Sequence, residues 1–170
     1  MESNGQIDNI NTPSSVITDE QNQGMVVTIV GVGLISGSFA LALKDKGLAK
    51  KIIGVSRTAA SLQKAKELGI IDEILSLEEA VKQSDFIYVA IPVDATVGVM
   101  KQIMDLLTDK QIVADAGSTK FVLCDALKDH PMRHRYMATH PMWGTEYSGP
   151  EAAVRGAFEG RAWEIGRAHV

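Results

Sequence analysis

From Met25 onward the chain alternates two hydrophobic patterns. One is a short unbroken run of apolar or β-branched residues, and the other places apolar residues at helical spacing. Met25–Val30 (Met-Val-Val-Thr-Ile-Val) is β-branched almost throughout, as a strand buried on both faces should be. Residues 35–46 have helical spacing and stop at Gly47. Residues 52–55 read as a strand, and 59–68 as a helix closed by Gly69, a natural C-cap. Residues 77–82 form a short predicted helix, and 86–91 a strand closed by Pro92. In 95–107, Val99, Ile103, Leu106 and Leu107 fall on one helical stripe. A strand at 112–114, a helix at Phe121–Leu127 and a short strand at 136–138 follow. Strand and helix in strict turn predict an α/β fold, a doubly wound, mostly parallel sheet with helices on both faces. Such sheets bind ligands beyond the carboxyl ends of their strands, so the chemistry is expected just after each strand.

The first of those positions carries Gly31-Val32-Gly33-Leu34-Ile35-Ser36-Gly37-Ser38, directly after a strand and opening a helix. Gly31 permits a tight turn, and Gly33 lets backbone approach a pyrophosphate with no side chain between them. The amides of Leu34 and Ile35 begin the helix, whose N-terminus offers free N–H groups to the anion. Ser36 stands where the fingerprint has its third glycine, and a slightly wider helix–strand contact is expected there. In this context the motif predicts a Rossmann-type dinucleotide-binding domain over residues 25–164. At the end of the second strand, Ser56-Arg57-Thr58 has no carboxylate for an adenine ribose. A guanidinium and two hydroxyls suit a 2′-phosphate, so NADP is expected, with NAD possible if Arg57 stacks on adenine instead. Ile91 and Pro92 end the fourth strand, where the nicotinamide half should lie; Asp94 is expected to cap the next helix.

Asp115-Ala-Gly117-Ser118-Thr-Lys120 follows the fifth strand, and Ser118 either caps the next helix or faces the crevice. The segment 139–150 contains His140 and, six residues on, Glu146. An imidazole ordinarily titrates near pH 6.5, about right for exchanging protons in neutral solution. Spacing alone leaves His140 equally readable as an acid/base group or a structural histidine. His130 and His134 flank Pro131 in a polar connector and read as surface residues. No His-Glu-x-x-His motif or paired-histidine spacing suggests a metal site, so none is expected.

Charge and composition narrow the partners. The net charge of -4 comes from Glu2, Asp8, Asp19 and Glu20, because residues 1–24 hold no Lys or Arg and the rest is formally neutral. Nothing there offers nucleic acid a footprint. Residues 1–24 are rich in Asn, Gln, Ser and Asp without periodicity and are expected to be a disordered leader. At the other end, residues 165–170 match one reading frame of a common sequencing adapter, so a non-native tail and a domain incomplete at its C-terminus are expected. A single cysteine, Cys124, excludes an intrachain disulfide and fits a reducing cytoplasm. No apolar run approaches the roughly 20 residues of a membrane span, and no signal peptide is visible. A small molecule is the expected partner, with no nucleic acid and no membrane.

Four segments in this order and spacing carry a resemblance: 31–38, Ile91-Pro92-Val93-Asp94-Ala95-Thr96, 115–120 and 140–150 (His-Pro-Met-Trp-Gly-Thr-Glu-Tyr-Ser-Gly-Pro). Together they resemble the nucleotide-binding domain of the prephenate/arogenate dehydrogenases of tyrosine biosynthesis. The resemblance implies oxidative decarboxylation of prephenate or arogenate, with His140 taking the proton of the ring hydroxyl. It implies that Ser118 contacts that hydroxyl and that Glu146 shapes the electrostatics of the pocket. It also implies a following helical domain, absent from this chain, that forms a homodimer and supplies an arginine for a substrate carboxylate. The chain by itself is therefore expected to bind dinucleotide weakly, if at all, and not to turn over prephenate. The family usually has glycine at Ser36 and often an acid at Ser56. Another Rossmann-fold NAD(P)-dependent dehydrogenase, or a dinucleotide-binding module without chemistry, stays open on the residues alone.

Overall fold

The computed structural model describes residues 24–166; the predicted leader, apart from Gly24, and residues 167–170 lie outside them. Seven strands form one sheet in the order β3-β2-β1-β4-β5-β6-β7. They are β1 (Met25–Val30), β2 (Ala49–Val55), β3 (Glu73–Ile74), β4 (Phe86–Val89), β5 (Ile112–Asp115), β6 (Tyr136–Pro141) and β7 (Trp163–Ile165). The first six run parallel, and β7 pairs antiparallel with β6. Five helices link them: α1 (Leu34–Asp45), α2 (Ala59–Glu67), α3 (Leu77–Gln83), α4 (Val93–Leu106) and α5 (Phe121–Leu127).

The side-chain period of two explains why both sheet faces are covered. In β4, Ile87 and Val89 join a core with Val81 of α3, Met100, Ile103 and Met104 of α4, and Leu127 of α5. The intervening Tyr88 joins the opposite core, with Val27 and Ile29 of β1, Leu41 of α1 and Leu62 of α2. A strand apolar at every position can satisfy both layers, as the β1 and β4 sequences do. Thr28 is the polar exception in β1. It is fully buried, and its hydroxyl is paired with that of Ser84 at 2.6 Å.

Several boundaries move for local reasons. β2 starts at Ala49, earlier than its apolar run, because Ala49 and Lys51 pair with Met25 and Val26. β4 ends at Val89, which frees Ala90 and Ile91 to line a crevice. α4 begins at Val93 with Pro92 as its N-cap, so Asp94 lies in the first turn and does not cap. A carboxylate there still favours the positive end of the helix dipole. The Thr96 hydroxyl donates to the carbonyl of Pro92 at 3.0 Å. β6 runs through Pro141, which places His140 within the strand where the sequence predicted it after the strand.

The two edge strands are short and held by pairing and packing. β3 is two residues long, half polar, and held at the edge by backbone pairing with β2. β7 is positioned by Trp163, whose ring lies 5.4 Å from Phe39 and 5.1 Å from Phe158, centroid to centroid. Ile165 pairs with Thr139 across β6 with its side chain largely exposed.

Ile29 is fully buried in the middle of β1, between α1 and α2. Ile29→Ala should lower unfolding stability by about 2–5 kcal/mol in a urea titration followed by circular dichroism.

Candidate active site

Strand order reverses between β1 and β4, so their following segments diverge to opposite faces and leave a crevice at the carboxyl edge. Gly31 turns out of β1 at φ +84°, with its amide held by the carbonyl of Val55 at 2.8 Å. A Cβ at Gly31 would come within 2.4 Å of the Ala90 carbonyl oxygen, so glycine is required by conformation and by space. A Cβ at Gly33 would meet nothing within 4 Å, because Gly33 faces open crevice. The crevice encloses about 340 Å³ and brings together Gly33, Leu34, Ile35 and Ile91 of the expected cofactor-binding residues. Tyr147, Ser148 and Gly149 form part of its wall, a contribution the sequence analysis did not assign.

That wall is fastened to α1. The amide of Val154 donates to the Ser38 hydroxyl at 2.8 Å, and Gly37 admits Ala153 so closely that a Cβ would lie 2.9 Å from the alanine methyl. The second small pair of the glycine motif therefore packs against the segment after β6. Ser56 and Arg57 follow β2 beside the Gly31 turn, and Thr58 is the N-cap of α2. The Thr58 amide donates to the Ser56 hydroxyl at 3.2 Å, while Arg57 is exposed and has no ion-pair partner among the described residues. Pro92 is exposed at the start of α4.

A second, more open cleft of about 590 Å³ is lined by His140, Met142, Trp143, Thr145 and Arg161. The β6–β7 pairing and a 3.0 Å hydrogen bond from the Met142 amide to the Ala162 carbonyl bring Arg161 to it. Arg161 was missed because no local pattern links it to His140. Ser118 sits exposed at a bend beside the crevice residue Gly117 and does not cap α5, whose N-cap is Lys120. Glu146 is exposed in the loop after β6 and, like Ser118, lines neither cavity. His130, expected at the surface, is half-buried. Its Nδ1 accepts from the Met132 amide at 3.1 Å, and its Nε2 lies 3.0 Å from Asp105.

Beneath Gly117 and Ser118 lies a buried polar cluster centred on Asp115. Its carboxylate forms an ion pair with Lys120, and both side chains are 1% exposed. One carboxylate oxygen accepts from the Tyr136 hydroxyl at 2.8 Å and the Thr139 amide at 3.4 Å, and the other from the Gly117 amide at 3.0 Å. The Thr139 hydroxyl donates to the Asp115 carbonyl. This cluster ties the loop bearing Ser118 to the strand bearing His140. Burial, reinforced by the Asp115 charge, pushes the Tyr136 phenol well above the ordinary tyrosine range, and the same two causes raise Tyr88. Both phenols therefore stay protonated in the folded chain. Among the described residues no cluster of His, Cys, Asp or Glu could hold a metal ion, and no helix is long and apolar enough to cross a membrane.

The doubly wound sheet with a glycine-lined crevice at its switch point defines a Rossmann-type dinucleotide-binding fold. The profile of the family described as prephenate dehydrogenase, nucleotide-binding domain, matches residues 39–165, and the chain belongs to that family. It is 33% identical over 136 residues to the prephenate dehydrogenase of Bacillus subtilis, covering 78% of this chain and 37% of that protein. Its fold is similar to prephenate dehydrogenase from A. aeolicus in complex with hydroxyphenyl propionate and NAD+. The TM-score there is 0.76 at 34% identity, over 84% of this chain and 50% of that one. Synechocystis arogenate dehydrogenase is similar at TM-score 0.73 and 25% identity, over 83% and 49% of the two chains. The chain thus spans half or less of the length of these relatives. The glycine turn lies before the stretch the family profile matches, so its reading does not rest on that profile.

Removing the ammonium of a buried pair strands the partner charge. Lys120→Met should cost about 3–5 kcal/mol in thermal or urea unfolding. Adding Asp115→Asn should restore part of that loss, because no unpaired carboxylate then remains buried.

Proposed function

We propose that this chain is the nucleotide-binding part of a dehydrogenase that oxidatively decarboxylates prephenate or arogenate with NAD(P)+. Family membership supports the reaction class, and the observation that carries the reading is the open glycine face of the crevice. Gly33 has room for a pyrophosphate, and Leu34 and Ile35 sit at the N-terminus of α1, where unpaired amides favour an anion. Bound dinucleotide supplies the hydride acceptor. The chain's residues must then orient the substrate and take one proton.

His140 is the base in this reading. As hydride leaves the carbinol carbon of the ring, the hydroxyl proton passes to the imidazole and a ring carbonyl forms. The bond from ring to carboxylate then breaks, its electrons enter the ring, carbon dioxide leaves and the ring becomes aromatic. Ser118, on the loop fixed by Asp115, would orient the same hydroxyl, and Glu146 would set the local potential. Ser118 and Glu146 are exposed, and in this reading a further helical domain, as the family resemblance implies, would meet them. In the same reading that domain would form the homodimer and supply an arginine for a substrate carboxylate.

The absence of an acid at Ser56-Arg57-Thr58 favours NADP over NAD, because a carboxylate there would repel the 2′-phosphate whereas Arg57 attracts it. Arg57→Ala should weaken NADPH binding at least tenfold and NADH binding less than threefold, measured by nicotinamide fluorescence. A parent chain that prefers NADH strongly would remove the NADP assignment. In an enzyme carrying this domain with its helical partner domain, His140→Asn should lower kcat by 10²-fold or more with little change in KM for prephenate. An unchanged kcat would take His140 out of the mechanism.

A further inference from the structure

The glycine turn contains one side chain that the dinucleotide fingerprint does not call for. Ser36 occupies the third glycine position and is 1% exposed. Its hydroxyl donates to the Gly31 carbonyl at 2.5 Å and accepts from the Gly33 amide at 3.0 Å. Both partners are the fingerprint glycines themselves, so one hydroxyl spans the turn from its first residue to its third. Among side chains small enough for this position, only a hydroxyl offers a donor and an acceptor together.

We infer that Ser36 is a positioning residue that holds the Gly31–Gly33 turn in its ligand-ready shape before a dinucleotide arrives. The inference rests on the proposed function, since it presumes that the crevice takes NAD(P). Its physical basis is the flexibility of glycine. A turn with two glycines in three residues loses more conformational entropy on ordering than one without glycine would. The Ser36 bridge orders it within the folded chain, so ligand binding is spared that cost. The bridge also turns the Gly33 N–H inward. The anion is then left to the amides of Leu34 and Ile35, two residues of the first helical turn that line the crevice and have no intrahelical acceptor.

The opposite possibility is that serine is merely a tolerated small residue, which glycine would replace with equal or better effect. Ser36→Gly separates the two because it restores the usual fingerprint residue while deleting the bridge. NADH binding is titrated by nicotinamide fluorescence on an enzyme carrying this domain with its helical partner domain, its Ser36→Gly variant and its Ser36→Ala variant. ADP-ribose and adenosine compete in parallel. Loss of the bridge should raise the Kd for NADH about fivefold in both variants, the effect of roughly one hydrogen bond. ADP-ribose, which carries the pyrophosphate, should weaken by the same factor, and adenosine should not change. In the ligand-free chain the Gly33 amide should exchange with deuterium faster in both variants.

A Ser36→Gly variant that binds NADH as tightly as the parent overturns the inference, as does an equal loss of adenosine affinity. If Ser36→Ala does not fold, Ser36→Gly carries the test alone. A parent enzyme carrying this domain with its helical partner domain that binds neither NADH nor NADPH overturns the functional reading and this inference with it. The two failures are told apart because that result appears in the parent enzyme, whereas failure of the bridge alone appears in the variants.

Discussion

The contact on which the rest depends is the passage of Gly31 beneath the Ala90 carbonyl, where β1 and β4 part company. At that point one strand sends its chain to α1 on one face, and its neighbour sends its chain to α4 on the other. The crevice between them exists because the backbone turns at once, at φ +84°, with no Cβ to hold the strands apart. Gly33, Leu34, Ile35, Ala90 and Ile91 are brought to the crevice by that turn and by the parallel pairing of β1 with β4.

The second half of the chain is fastened to this frame by two unlike devices. One is polar: Asp115 at the end of β5 collects Lys120, Tyr136, Gly117 and Thr139 around one carboxylate. A buried charge so heavily paired is costly to break from one side, so it fixes β6 and the Ser118 loop together. The other is apolar. Phe39 of α1 contacts Tyr88, Phe158 and Trp163, which draws β7 and the segment before it onto the α1 face of the sheet. Between the two devices lies the loop that walls the crevice and carries Trp143 and Glu146. Tyr88 is the exception inside this cluster, a fully buried phenol whose hydroxyl has no hydrogen-bond partner among the described residues.

Much of the architecture was legible because strands buried on both faces and amphipathic helices write different periods into the chain. Phe121–Leu127 and Met25–Val30 were read to the residue, and the glycine turn was singled out by its place after a strand. The errors have local causes. Asp94 looked like a cap, but Pro92 already starts the helix with the dihedral angle it is locked into. His130 looked like a surface residue because its partners, Asp105 and the Met132 amide, are joined to it by folding and by a turn no motif announces. Arg161 and Tyr147 reach their cavities through tertiary placement, which leaves no periodic trace in the sequence.

By itself the amino-acid order determined the alternating α/β plan, the two-faced burial of the sheet and the turn where β1 gives way to α1. Those follow from interactions between near neighbours in the chain: side-chain period, helix capping and the conformational range of glycine. Tertiary structure alone decided that Asp115 and Lys120 are buried as a pair, that Ser36 bridges the two glycines, and that the loop after β6 returns to α1. Each of these depends on which polar atoms lose water together when the layers close. That outcome is set by distances between groups far apart in the chain, or by a rotamer chosen only once the turn is packed.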